Sequence, residues 1–216
     1  MTAEDLAWAL GRRYMGIPTR LLARVRVYGR DRIPATGGVV LAVNHLHWID
    51  IPAVGVVSPR VVHFVAKAEV AKWKPVWRFL RWHGTIIVRR GESDRDAVRE
   101  MRAAARAGQV VGLFVEGTRM KTGRPGPAQP GAAMVALQEN VPVVPAAVYG
   151  TQFWKIGNLK PCSIAFGEPL HLEGLPKGGK GYKEATVEIE RRINVLFDWL
   201  AEQHAQGRPR GAVPPL

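Results

Sequence analysis

Apolar residues along the chain fall into two kinds of run that alternate with each other. Short, nearly unbroken apolar stretches between glycine, proline or charged residues predict strands at 24–28, 39–43, 61–66, 85–88, 110–115, 141–149 and 162–166. Between and after them, apolar residues recur at helical spacing and predict helices at 50–57, 72–82, 93–108, 132–139 and 182–204. Asp94 and Asp96 lie in the first turn of the third helix, where negative charge suits the helix dipole, and Gly108 ends it. The last helix carries Val187, Ile189, Ile193, Leu196, Phe197 and Leu200 as its apolar side and is expected to cover one face of a sheet. Pro34 with Gly37-Gly38 marks a turn, and 122–131 is a loop rich in glycine and proline. Apolar strands alternating with helices imply a sheet buried on both faces. The expected fold class is therefore α/β, with a mostly parallel central sheet covered by helices.

A chain of 216 residues, 47% of them hydrophobic, suits a single domain spanning 1–216. Cys162, the single cysteine, has no partner for a disulfide, which fits a reducing compartment. The net charge of +13 implies a positive field attracting nucleic acid, anionic lipid or a phosphorylated substrate. No apolar run is long enough to span a bilayer, since Asn44, His45, His47 and Asp50 interrupt the longest one. No signal peptide is expected either, because Glu4 and Asp5 precede the first apolar residues and Arg12 and Arg13 cut them short. Segment 1–23, with Leu6, Leu10 and Tyr14 on one side of a short helix and arginines around it, is expected to lie on a membrane surface or dock on the domain. Residues 205–216 are expected to form a flexible tail. Trp73, Trp77 and Trp82, interleaved with Lys72, Lys74, Arg78 and Arg81, make a basic aromatic segment suited to a lipid headgroup boundary or to the core. No nucleic-acid motif accompanies it, and no nucleic-acid partner is expected.

Two polar constellations follow buried strands directly, where α/β sheets put their sites. After 39–43 comes Asn44-His45-Leu46-His47-Trp48-Ile49-Asp50. The Asp50 carboxylate can fold back across a strand-to-helix corner, accept a hydrogen bond from one nitrogen of His45 and leave the other free as a base. Chemically this is a serine-protease triad whose nucleophile is the substrate's own hydroxyl. After 110–115 the chain continues Glu116-Gly117-Thr118-Arg119. Gly117 permits close backbone approach or positive φ, Thr118 offers a hydroxyl, and Arg119 presents a fork that suits phosphate oxygens. An alternative is a polar loop in which Glu116 and Arg119 pair with each other. His45-x-His47 has no nearby glutamate or cysteine to complete a metal site, so no metal is expected, and His47 is expected to line the pocket. His63 is expected to be a satisfied core histidine.

Taken together, the two constellations resemble the 1-acylglycerol-3-phosphate acyltransferase (lysophosphatidate acyltransferase) family of the glycerol and phospholipid acyltransferase superfamily. Residues 44–50 match its Asn-His-x-x-x-x-Asp block and 114–119 its Phe-Pro-Glu-Gly-Thr-Arg block, with Val115 in place of the proline. Val141-Pro142-Val143-Val144-Pro145 is similar to its Val-Pro-Ile-Val-Pro block, and 84–90 to its Gly-x-Ile-x-Ile-x-Arg block. The resemblance implies a glycerolphosphate-acyltransferase-like fold and a catalytic pair of His45 and Asp50. It further implies acceptor binding by Arg90, Lys67, Glu116, Gly117, Thr118 and Arg119. An acyl-CoA or acyl-carrier-protein donor, a lysophospholipid acceptor and no metal or organic cofactor are also implied. A peripheral position on the cytoplasmic face of the cell membrane, against anionic lipid, is the corresponding expectation. Met120, Gln129 and Arg89 depart from the usual pattern and leave the acceptor open to other lysophospholipids, lyso-aminolipids or glycolipids. A catalytically silent module binding anionic lipid or nucleic acid is the alternative from a different class.

Overall fold

The computed structural model describes residues 23–67, 85–88, 94–155 and 157–216. Seven strands form there: β1 (Arg26–Tyr28), β2 (Val39–Val43), β3 (Val62–Lys67), β4 (Ile86–Val88), β5 (Val110–Phe114), β6 (Val143–Tyr149) and β7 (Ser163–Phe166). They make one sheet in the order β1-β7-β6-β2-β5-β3-β4. All neighbours are parallel except β6 and β7. Four α-helices are described: α1 (Asp50–Val57), α2 (Asp94–Arg106), α3 (Gly131–Glu139) and α4 (Gly179–Ala205).

The two-residue period of a strand explains how both faces are covered. Val40 and Ala42 of β2 pack with Met101 of α2, Ala133 and Ala136 of α3 and Ile189 and Ile193 of α4. Val39, Leu41 and Val43 point the other way and pack with Ala53, Val54 and Val57 of α1. Further along α4, Leu196, Phe197 and Leu200 close over Ala147 and Ala165. Every residue of β2 is buried, as expected of a central parallel strand covered on both sides. At Gly112 of β5 an added Cβ would sit 2.5 Å from the Val62 side chain, so the neighbouring β3 packs where only glycine fits.

The expected α/β class holds, and the differences are local. β6 begins at Val143 rather than 141 because the Val141 N–H turns back to the Ala136 carbonyl and closes α3. β1 begins at Arg26 because Arg24 takes φ +43, a turn conformation. α4 starts before Tyr182, whose N–H bonds the Gly178 carbonyl. The tail expected to be flexible is instead docked. Arg208 is buried and donates to the carbonyls of Arg24 and Cys162. Arg32 reaches the carbonyls of Pro214 and Leu216. Carbonyls at the edge of the fold need donors, and the two guanidiniums supply them. His63 is buried in β3. Segment 1–22, the basic aromatic stretch 72–82 and His83 lie outside the described residues. No helix among the described residues is long and apolar enough to cross a membrane.

His204 of α4 shares a hydrogen bond of 2.9 Å with the buried Ser163 hydroxyl and packs edge-on against Tyr149. Burial, reinforced by Arg208, lowers its pKa to about 4. A histidine held below its unfolded value of about 6.5 contributes stability that is present above that value and is lost as pH falls toward about 4. The thermal midpoint should therefore fall more steeply across this window for the natural protein than for His204→Gln, measured by melting at a series of pH values.

Candidate active site

The register of the central strands puts the two constellations side by side. Val43 pairs with Phe114 at the carboxyl ends of β2 and β5, so the two loops leave the same edge of the sheet together. The Val115 N–H then bonds the Val43 carbonyl, extending the ladder by one step. Gly117 turns the second loop with φ +66 while its N–H returns to the Phe114 carbonyl at 3.0 Å. A left-handed turn of this kind favours glycine because it lacks a Cβ.

His45 is held from four directions. Its N–H donates to Glu116 Oε2 at 3.0 Å, and its carbonyl accepts from the Met120 N–H at 2.8 Å. Its ring stacks on Phe114 with centroids 4.1 Å apart, and Phe114 stacks in turn on Phe64. Its Nδ1 meets Asp50 Oδ2 at 2.9 Å. Asp50 begins α1 with a fully buried side chain, and the same Oδ2 accepts the N–H groups of Leu46 and His47, both at 2.7 Å. Folding back of the carboxylate thus organises the whole corner between β2 and α1. An ionised carboxylate only accepts, so Nδ1 carries the proton in this arrangement and Nε2 is left with its lone pair. The imidazole retains 12% of its exposure, enough for one edge to meet a substrate.

Glu116, grouped by the resemblance with acceptor binding, lies beneath the His45 turn. It is buried, and its two oxygens accept from the backbone of His45 and, at 3.4 Å, of Gly126. The suggested pairing with Arg119 is not formed. A carboxylate folded under the loop braces the main chain on which His45 sits. Burial raises its pKa to about 7, against the opposing pull of its backbone donors and with a smaller push from Asp50.

Gly117, Thr118 and Arg119 are exposed at the same corner. Arg119 has no hydrogen bond or ion pair among the described residues, and its charge is felt at His47. Burial above all, then repulsion from Arg119 and His45, holds the His47 imidazole below its usual range despite the attraction of Asp50. His47 lies edge-on to Trp154 at 5.6 Å and tilted to Trp48 at 5.7 Å, so it lines the site wall. Arg90 lies outside the described residues, and of Lys67 only its backbone place at the end of β3 is described.

Asn44 is a residue whose task the sequence reading did not assign. Its side chain donates to the Val148 carbonyl at 3.1 Å and accepts the Val148 N–H at 2.7 Å. An amide carries one donor side and one acceptor side like a peptide unit, so Asn44 prolongs the pairing of β2 with β6 after the backbone has turned away. A lone asparagine at the end of a fully apolar strand is the signal that could have suggested it.

With this geometry in place, the comparisons with known proteins agree. The chain belongs to the acyltransferase family: the family model described as Acyltransferase matches residues 24–149, which include both constellations. The 1-acyl-sn-glycerol-3-phosphate acyltransferase of Bacillus subtilis is 32% identical over 186 residues, covering 80% of this chain and 91% of the relative. The lyso-ornithine lipid O-acyltransferase of Pseudomonas aeruginosa is 34% identical over 76 residues, 35% of this chain and 29% of the relative. The crystal structure of the 1-acyl-sn-glycerophosphate (LPA) acyltransferase PlsC from Thermotoga maritima has the same fold, with a TM-score of 0.69 over 94% of this chain and 80% of that one, at 24% identity. The protein is accordingly an enzyme, an acyltransferase.

The raised pKa of Glu116 has a sign that can be measured. A carboxyl whose folded value of about 7 lies above its unfolded 4.5 contributes stability that is full below 4.5 and is lost as pH rises through about 7. Glu116→Gln has no such proton to release. The difference in unfolding midpoint between Glu116→Gln and the natural protein should therefore shift in favour of the variant between about pH 5 and pH 8, measured by denaturant titration.

Proposed function

We propose that this acyltransferase moves a fatty acyl group from acyl-CoA or acyl-carrier protein to the free hydroxyl of 1-acylglycerol-3-phosphate, giving phosphatidate. The observation that carries the proposal is the His45–Asp50 contact of 2.9 Å at a corner that also presents the uncommitted guanidinium of Arg119. The names of the Bacillus subtilis and Thermotoga maritima proteins support the acceptor. In the reaction, Nε2 of His45 takes the hydroxyl proton as the oxygen attacks the thioester carbonyl. A carbon–oxygen bond forms, the carbon–sulfur bond breaks, and the leaving thiolate receives the proton from the imidazolium. Asp50 stabilises that imidazolium while its charge exists. Alcohol, thioester and one imidazole balance the step, and no metal or organic cofactor enters it.

Arg119, with Arg90 and Lys67 as further cations, holds the acceptor phosphate in this proposal, with Gly117 and Thr118 shaping the approach. A two-pronged guanidinium suits phosphate oxygens better than an ammonium does. The net charge of +13 supports a peripheral position against anionic lipid on the inner face of the cell membrane, where such an acceptor resides. The similarity to the lyso-ornithine lipid enzyme favours a second reading, in which the same chemistry serves an amino-lipid acceptor.

An acyl-transfer assay over a panel of lyso-acceptors and both thioester types, read by product mass, tests the proposal. His45→Ala should lower turnover at saturating substrate by roughly a hundred- to ten-thousandfold. Arg119→Ala should chiefly raise the acceptor concentration needed, and Arg119→Lys should restore it only in part. Transfer to lyso-ornithine lipid but not to lysophosphatidate would replace the first reading by the second. A weakened donor with an unchanged acceptor would reverse the assignment of Arg119.

A further inference from the structure

Beside the site, the chain between β6 and β7 displays apolar and cationic side chains to solvent. Phe153 is 51% exposed and Leu159 48%, with Trp48 of the His45 corner at 48%. Lys155 and Lys160 are exposed among them, and the Lys160 ammonium lies 5.8 Å from the centre of the Phe153 ring. The loop is tied to the site through the buried Trp154, which follows Phe153 in the chain, stands edge-on to Trp48 at 5.7 Å and packs against His47.

The loop is built rather than loose. Asn158 donates from Nδ2 to the Phe153 carbonyl at 2.9 Å, while its Oδ1 accepts the N–H groups of Lys155 and Lys160, both at 3.1 Å. Leu159 takes φ +47, a conformation that costs a non-glycine residue free energy, and presents its side chain outward. An apolar residue held in a strained conformation at an exposed tip gains nothing in the isolated protein. Burial of its side chain in a partner would offset both the strain and the exposed apolar surface.

We propose that this loop, with Trp48, is the surface by which the protein seats on an anionic bilayer, so that the His45 corner opens at the lipid interface. The proposal rests on the lipid-acceptor reading above and names the contact surface for it. Aromatic and leucine side chains flanked by lysines match the boundary between acyl chains and anionic headgroups, where the ammonium groups remain among phosphates as the apolar groups enter. Charge complementarity selects anionic lipid as the occupant, since the two lysines sit beside the apolar tip in a chain whose net charge is +13. An acceptor already embedded in the membrane then meets His45 without leaving it.

The test uses the full chain, vesicles of phosphatidylcholine with and without phosphatidylglycerol, and two kinds of acceptor. These are long-chain lysophosphatidate in the vesicles and a short-chain analogue dissolved as monomer. Phe153→Ser with Leu159→Ser should weaken binding to the anionic vesicles by on the order of tenfold to a hundredfold. Lys155→Glu with Lys160→Glu should remove the preference for anionic over neutral vesicles. Activity on the embedded acceptor should fall with binding in both variants, while activity on the dissolved analogue stays as in the natural protein. Val187→Ser, which removes an apolar side chain 62% exposed on α4, should change none of these. Vesicle binding unaffected by the loop substitutions, absent in the natural protein, or lost equally in Val187→Ser would overturn the proposal. Failure to acylate even the dissolved analogue would instead count against the acceptor reading, and vesicle binding would still decide the docking surface.

Discussion

The hydrogen bond between His45 and Asp50 is the contact on which the rest of the site depends, because one carboxylate oxygen organises three partners. Oδ2 of Asp50 takes the imidazole and the N–H groups of Leu46 and His47. Hydrogen bonds to a charged acceptor contribute roughly 1.5–3 kcal/mol each, and a buried carboxylate deprived of them would carry its full desolvation cost. The corner between β2 and α1 therefore closes only with Asp50 inside it, and closing it sets the imidazole in place.

Fold and chemistry are joined through the sheet. The register that pairs Val43 with Phe114 delivers Glu116 beneath the His45 backbone and Phe114 beneath its ring. On the other side, Asn44 ties the same turn to Val148 of β6. Neighbouring strands on both sides of β2 thus grip the residues after it, and a shift of either strand would be felt at the imidazole. Rigid support of this kind is what a proton transfer demands, because the base must wait where the hydroxyl will be. One buried carboxylate, Asp50, meets the imidazole directly, and its field favours the positive charge that the ring acquires as it takes a proton.

Much of this was legible in the sequence where a physical rule was strict. A strand apolar along its whole length, such as 39–43, pointed to a sheet covered on both faces, and the polar residues just past it to a site at the strand ends. His45 and Asp50 stood out because a corner of that length lets the carboxylate return. The burial of Glu116 was not legible, because it comes from long-range packing against the loop 122–131 that local pattern does not encode. Asn44 belonged to the recognised block, yet its partner, Val148, lies far along the chain and becomes its neighbour only through the order of strands. The docked tail was missed for the same reason: Arg32 and Arg208 take carbonyls from segments remote in sequence.

The central claim is that Asp50 holds the His45 ring with its proton on Nδ1, leaving Nε2 as the base. Nitrogen NMR of histidine-labelled protein, with the His45 signals assigned by their loss in His45→Gln, reads this directly. The account predicts a hydrogen-bonded Nδ1–H and an unprotonated Nε2 in the resting enzyme, with that Nδ1–H signal lost in Asp50→Ala. A resting tautomer protonated at Nε2, or an Nδ1–H signal unchanged by Asp50→Ala, would contradict it.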